Sequence, residues 1–123
     1  MKRRVAILIG NGSFQPDSGL ENLRGPANDV RRLGEVLADR ERGGFEVHSL
    51  VDRSRADILP AIEEAVNGAA PEDLLLVFYA GHGKPDPNGR LCLATAETRE
   101  RALRTTSMPT RSKTDDGSTR NSR

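Results

Sequence analysis

The sequence predicts a three-layer α/β fold, a mostly parallel sheet with helices on both faces. Three observations carry this reading. Residues 5–9 and 74–80 are continuous apolar runs, of the length and composition of strands buried on both faces. Between them lie two segments whose apolar residues recur at helical spacing. The connections are also long enough for the helical crossovers that parallel pairing requires.

The elements follow in order. Residues 5–9 form the first strand, closed by Gly10-Asn11-Gly12, and a long loop carrying Pro16, Gly19, Gly25 and Pro26 follows. Asn28 or Asp29 can cap a helix with the inner stripe Val30, Leu33 and Leu37, Ala38 beside it, ended by Gly43-Gly44. Residues 45–51 alternate apolar and polar, as a strand at a sheet edge does. The second helix runs to Asn67 with Ile58, Ala61, Ile62, Ala65 and Val66 on one side and Gly68 as its stop. Its start is Ser54 or Asp57; Pro60 belongs in a first turn, which favours Asp57 as the cap. Residues 74–80 are the third and most apolar strand, expected to be the most buried. After it, residues 84–89 make a turn and residues 90–93 return as a short extended piece.

Composition narrows the function. At 123 residues there is room for one domain. Nineteen basic against 18 acidic residues and 3% aromatics lack the basic surface and stacking rings of a nucleic-acid binder. A single Cys excludes a disulfide framework and a multi-Cys zinc site, and it fits a reducing compartment. The longest apolar run, seven residues, falls well short of the roughly 18 that a membrane span needs. The basic start Met1-Lys2-Arg3-Arg4 leads into only five apolar residues and then Gly-Asn-Gly, so it reads as a strand rather than a leader. The expectation is a cytoplasmic protein without metal, cofactor, nucleic-acid or membrane partner.

Charge divides the chain. Residues 1–98 carry a net −3 and residues 99–123 a net +4, with nine Ser or Thr in the latter. From Pro109 onward there is no Leu, Ile, Val or aromatic residue. Such a segment cannot repay the entropy of ordering, so a boundary is expected near Thr98 and a disordered basic tail beyond it.

Two motifs could carry chemistry. Gly10-Asn11-Gly12 follows a strand and Asp52 ends the next, as in dinucleotide sites. The geometry fails: position 15 is Gln, and about fifteen residues with two prolines intervene before a helix can open. No Gly-Lys-Ser/Thr follows any strand, which removes a Walker loop too. The second motif is Tyr79-Ala80-Gly81-His82-Gly83. A His between two glycines, after a strand, lies at the carboxyl edge of the sheet, where open α/β sheets place their sites. The glycines leave the ring uncrowded and the Gly83 N–H open to a ligand oxygen, as a general base beside an oxyanion donor requires. His48, mid-strand on the polar phase, has no such context and is read as structural.

Residues 74–83, Leu-Leu-Leu-Val-Phe-Tyr-Ala-Gly-His-Gly, resemble the strand and His-Gly signature of the caspase and metacaspase family. The likeness extends to residues 5–11, 23–30 and 44–47, in order and spacing. Residues 89–96 look like bacterial members, as residues 105–109 do more loosely. This resemblance implies a cysteine endopeptidase acting on peptides or proteins after a charged residue. It makes His82 the general base and acid for a Cys nucleophile, and Gly83 an oxyanion donor. In caspases an Arg of the loop after the first strand binds the acidic side chain before the cleaved bond, whereas metacaspases use acidic groups for a basic one. Arg24 occupies that loop and is the candidate substrate-binding residue. Asn28-Asp29 belong to the same motif and are read as helix capping.

The departure is the nucleophile. It should follow the His by about 50 residues in such a dyad, and nothing resembling the family's Asp-x-Cys-x-Gly surrounds the one Cys, Cys92. Flanked by Leu91 and Leu93, Cys92 reads as a small buried hydrophobe. From Ser112 the likeness stops. The expectation is therefore an N-terminal portion of a caspase-like sheet, incomplete at its C-terminal side and inactive alone, with residues 74–80 as an exposed edge. That edge would self-associate or receive a partner. The alternative is a non-catalytic caspase-fold interaction module.

Overall fold

A computed structural model describes residues 2–99 and the backbone of residues 108–110. The first strand, β1 (Arg4–Gly10), becomes the centre of a three-stranded parallel sheet. On one side it pairs with β2 (Glu46–Val51), in the register Val5 to Glu46. On the other it pairs with β3 (Leu74–Ala80), in the register Val5 to Leu75. Every residue of β1 from Val5 to Gly10 is buried, because a central parallel strand is covered on both faces.

One face carries α1 (Gly25–Ala38), where Val30 meets Ala6 and Leu8, with Leu33, Leu37, Val47, Leu76 and Phe78 around them. The opposite face carries α2 (Arg55–Asn67), where Ile58 packs on Val5, Ile7 and Ile9 beside Ile62, Ala65, Leu50 and Leu75. These are the three layers that the sequence implies. Each fully buried aliphatic of β1 contributes about 1.5–3 kcal/mol relative to exposure.

Position, more than composition, decides burial. β3, the most apolar strand in sequence, is less buried than β1, and it takes the edge position expected for residues 74–80. β3 hydrogen-bonds to β1 alone among the described strands and so forms an edge, with Leu74 and Val77 54% and 45% exposed. β2 is the opposite edge, as its alternation indicates. Val66, assigned to the inner stripe of α2, is instead on the outside.

Both helix starts differ from the sequence expectation. α1 begins at Gly25 with Arg24 in the cap position and Pro26 in its first turn. Proline's missing N–H is no loss there and its fixed φ is already helical, so the start moves ahead of Asn28 and Asp29, which do not cap. Asn28 Oδ1 instead accepts a bond from Arg31 Nη2 at 2.6 Å. The helix ends at Ala38, and the Asp39 carbonyl then receives the N–H groups of Arg42, Gly43 and Gly44, so the two glycines belong to the turn beyond it.

α2 is capped by Ser54, whose Oγ accepts the Asp57 N–H at 3.3 Å, and not by Asp57. The Glu97 carboxylate takes the Arg55 N–H at 3.0 and 3.2 Å, a second acceptor brought from 42 residues away. These partners fix the start early enough that Pro60 falls inside the helix, where one intrahelical bond is lost.

A second, antiparallel sheet follows, in the order β4 (Gly83–Pro85), β5 (Leu91–Leu93) and β6 (Met108–Thr110). Asp86 organises the β4–β5 turn: its Oδ1 accepts the Asn88 and Arg90 N–H groups at 2.8 and 2.9 Å. β6 falls within the stretch that the sequence assigns to a disordered tail. The rest of that stretch, residues 100–107 and 111–123, lies outside the described residues. Among the described residues no helix is long and apolar enough to cross a membrane.

Candidate active site

The site grows from the carboxyl ends of the three parallel strands. The Asn11 N–H donates to the Ala80 carbonyl (2.9 Å), joining the ends of β1 and β3, and the Asp52 N–H donates to Gly10 (2.8 Å), joining β1 and β2. Asp52 has φ +54°, the left-handed conformation that Asp tolerates better than most residues. From there its Oδ1 accepts the N–H groups of Gly12 and Ser13 at 2.8 and 2.9 Å. The Leu23 N–H returns to the Gly12 carbonyl at 2.7 Å, and Asn22 Oδ1 accepts the Phe14 N–H at 2.9 Å. Residues 11–24 are thus a closed loop, with Phe14 and Leu20 buried against Ala94 beneath it.

That loop faces His82. The Glu21 main-chain carbonyl lies 2.7 Å from His82 Nε2. The Phe14 ring is tilted against the imidazole at a centroid distance of 5.3 Å. A carbonyl oxygen only accepts, so the neutral ring keeps its proton on Nε2 and presents the lone pair of Nδ1. A base with its second nitrogen held by a fixed acceptor is ready to take a proton.

Gly83 opens β4. The Ala94 N–H donates to the His82 carbonyl at 3.0 Å, which makes Gly83 and Leu93 a non-hydrogen-bonded antiparallel pair. The Gly83 N–H therefore points away from β5, as an oxyanion donor must. Tyr79 Oη lies 2.7 Å from the Ala94 carbonyl and 3.0 Å from that of His82. Asn11 Nδ2 reaches the same Ala94 carbonyl at 2.8 Å. Burial pushes the Tyr79 phenol up to about 12, against the opposing pull of its bond to Ala94, so it stays a proton donor at neutral pH.

Comparison with known proteins matches the sequence to a family. The caspase-domain model aligns with residues 3–111, most of the chain. The chain belongs to the caspase-domain family. Among curated relatives it is 34% identical over 101 residues to metacaspase-1 of Candida albicans, covering 71% of this chain and 22% of that protein. It is 35% identical over 98 residues to metacaspase-1B of Aspergillus fumigatus (70% and 22%), and 33% over 89 residues to metacaspase-1 of Mycosarcoma maydis (66% and 21%). The chain thus spans about a fifth of the length of these relatives. They are fungal, and nothing in them supports the bacterial likeness of residues 89–96.

Within this caspase domain the remaining candidates separate. Cys92 is 1% exposed in β5, with Sγ 3.9 Å from the Arg90 carbonyl. Arg24 stands exposed at the start of α1, its side chain making no capping bond, on the same connection as Glu21. His48 Nε2 lies 2.7 Å from Glu46 Oε2 at the sheet's far edge, in a surface cluster with Arg3. Hydrogen bonds from Arg3 and His48 hold the Glu46 carboxyl below its usual range. Among the described residues no group of three or more His, Cys, Asp or Glu could hold a metal ion.

Sequence reasoning names Asp52, Asn11 and Tyr79 within its motifs but not their contacts here, and it misses the Glu21 carbonyl. Parallel pairing of the first two strands would have set Asp52 beside Gly10, an available signal. The Glu21 contribution comes from the main chain and leaves no side-chain signature.

Proposed function

We propose that this caspase domain supplies the base and oxyanion-donor half of a cysteine endopeptidase site. The observation that carries the reading is His82 Nε2 held 2.7 Å from the Glu21 carbonyl, beside a Gly83 N–H directed away from its own sheet. In the proposed reaction, Nδ1 of His82 takes the proton of a cysteine thiol and the thiolate attacks the peptide carbonyl carbon. The Gly83 N–H bonds the resulting oxyanion, and the imidazolium returns the proton to the departing amine. Water then hydrolyses the acyl-cysteine with His82 again as base. Arg24, exposed on the connection that carries Glu21, is proposed to contact an acidic side chain before the cleaved bond.

Cys92 does not fit the nucleophile. It is buried in β5 between Leu91 and Leu93 and reads as a small hydrophobe. It is the only cysteine of the 123 residues, so these residues by themselves are proposed to be inactive. The exposed β3 edge favours a second reading, a caspase-fold module that docks a partner or a second copy there. Peptides with Arg, Lys or Asp before a reporter group separate the two. The chain alone is expected to release no reporter. Paired with the half of a metacaspase that bears an Asp-x-Cys-x-Gly segment, it is expected to gain activity that His82→Ala abolishes and Cys92→Ala preserves. Activity that survives His82→Ala, or disappears with Cys92→Ala, overturns the assignment.

A further inference from the structure

The His82–Gly83 peptide joins the base to the oxyanion donor, and its carbonyl is held by groups that the reaction itself does not use. The amide is planar and trans, so fixing the direction of the His82 C=O fixes the opposite direction of the Gly83 N–H. Two donors reach that carbonyl: the Ala94 N–H at 3.0 Å and Tyr79 Oη at 3.0 Å. The Tyr79 hydroxyl has one proton, shared in a three-centre bond between the Ala94 carbonyl at 2.7 Å and the His82 carbonyl at 3.0 Å. It therefore bridges the two carbonyls on either side of the Ala94-to-His82 bond. Asn11, fully buried, adds a donor to the Ala94 carbonyl from Nδ2, while its Oδ1 has no hydrogen-bond partner among the described residues. A buried amide left half-satisfied is costly, and its placement here ties the end of β1 to the same knot.

We propose that Tyr79 is a positioning residue of this site: its hydroxyl, bridging the His82 and Ala94 carbonyls, orients the His82–Gly83 peptide and with it both the imidazole and the Gly83 N–H. This rests on the roles given to His82 and Gly83 above. Tyr79 touches neither substrate nor reacting atoms. It acts from beneath, through the main chain.

The chain has one Tyr and two His, so the test is spectroscopic and needs no peptidase activity. In the 15N-labelled 123-residue chain, Tyr79→Phe keeps the ring and removes the bridge. The expected result is a displaced Gly83 amide signal and displaced His82 imidazole nitrogen signals, with those of His48 unmoved. Exchange of the Ala94 amide should quicken about fivefold relative to Ile7 of β1, the effect of losing roughly one hydrogen bond. The same measurements on the chain made with 3-fluorotyrosine, a stronger donor of nearly the same shape, guard against an unfolded variant: His82 and Gly83 should again move while His48 stays. Unchanged His82 and Gly83 signals in the folded chains overturn the proposal, as does a shift shared equally by His48 or by the β1 amides. Failure of the chain paired with the Cys-bearing half of a metacaspase to cleave peptides would count against the peptidase reading and leave these signals untouched.

Discussion

The Nε2 atom of His82 and the main-chain oxygen of Glu21, 61 residues apart in the chain, are 2.7 Å apart in space. The pairing decides which nitrogen of the ring carries the proton. In neutral His82 the Nε2–H form should dominate, and long-range 1H–15N correlation should show Nδ1 as the unprotonated nitrogen. A dominant Nδ1–H form would mean that the base faces the loop and not the reaction.

Asp52 makes the loop that delivers Glu21, and its two contributions can be separated. Its carboxylate serves two amides, and its backbone sits at φ +54°. Asp52→Asn keeps one acceptor oxygen and tolerance of the left-handed region, so it should destabilise least, by under about 1 kcal/mol. Asp52→Gly loses the acceptor but not the backbone fit. Asp52→Ala loses both and should cost about 1 kcal/mol more than the glycine variant. Urea midpoints should follow the order Asn, Gly, Ala, and Ala equal to Gly would remove the backbone from the account.

Cys92 should behave as part of the core. A thiol reagent such as a disulfide dye should label the native chain far more slowly than the chain in denaturant. Cys92→Ala removes a small buried group and should cost about 1 kcal/mol, whereas Cys92→Ser, which buries a hydroxyl, should cost about 1–3 kcal/mol. Fast labelling of the folded chain would contradict its 1% exposure and reopen its role.

Strand identity, the sheet's parallel sense and the place of His82 at the sheet's carboxyl edge were legible because each is written locally: apolar runs of strand length, helical spacing, a His between glycines. The errors share a cause. The cap of α2 depends on Glu97, and the burial of β1 over β3 depends on strand order, neither of which is visible in a local window. Pro26 is the exception. The local rule that places proline in a first turn was applied to Pro60 and not to Pro26, and there it would have found the start of α1.

Among the described residues no strand pairs with the outer side of β3, where Leu74 and Val77 are about half exposed. Long apolar edges of this kind pair with other chains, and a lysine on the edge suppresses it. Val77→Lys should lower the apparent mass of the chain in sedimentation and slow its aggregation, at a stability cost under about 1 kcal/mol, since Val77 is already 45% exposed. A parent chain that is monomeric at high concentration would leave the edge with nothing to explain.

Tyr79 also sets an alkaline limit. Its phenol ionises near 10 when the chain is unfolded and at about 12 in the fold, because burial disfavours the phenolate. The folded chain therefore holds this proton more tightly. The resulting stabilisation is complete below about pH 10 and declines as pH rises through about 12, where the unfolded chain has already released the proton. In Tyr79→Phe that decline should vanish, so the stability difference between parent and variant should shrink from pH 10 to 12. As the only tyrosine, Tyr79 can be followed by phenolate absorbance, with native and denatured titrations separated on the pH axis. Superimposed titrations would place the hydroxyl in water, and neither carbonyl of the His82–Ala94 pair would then be held by it.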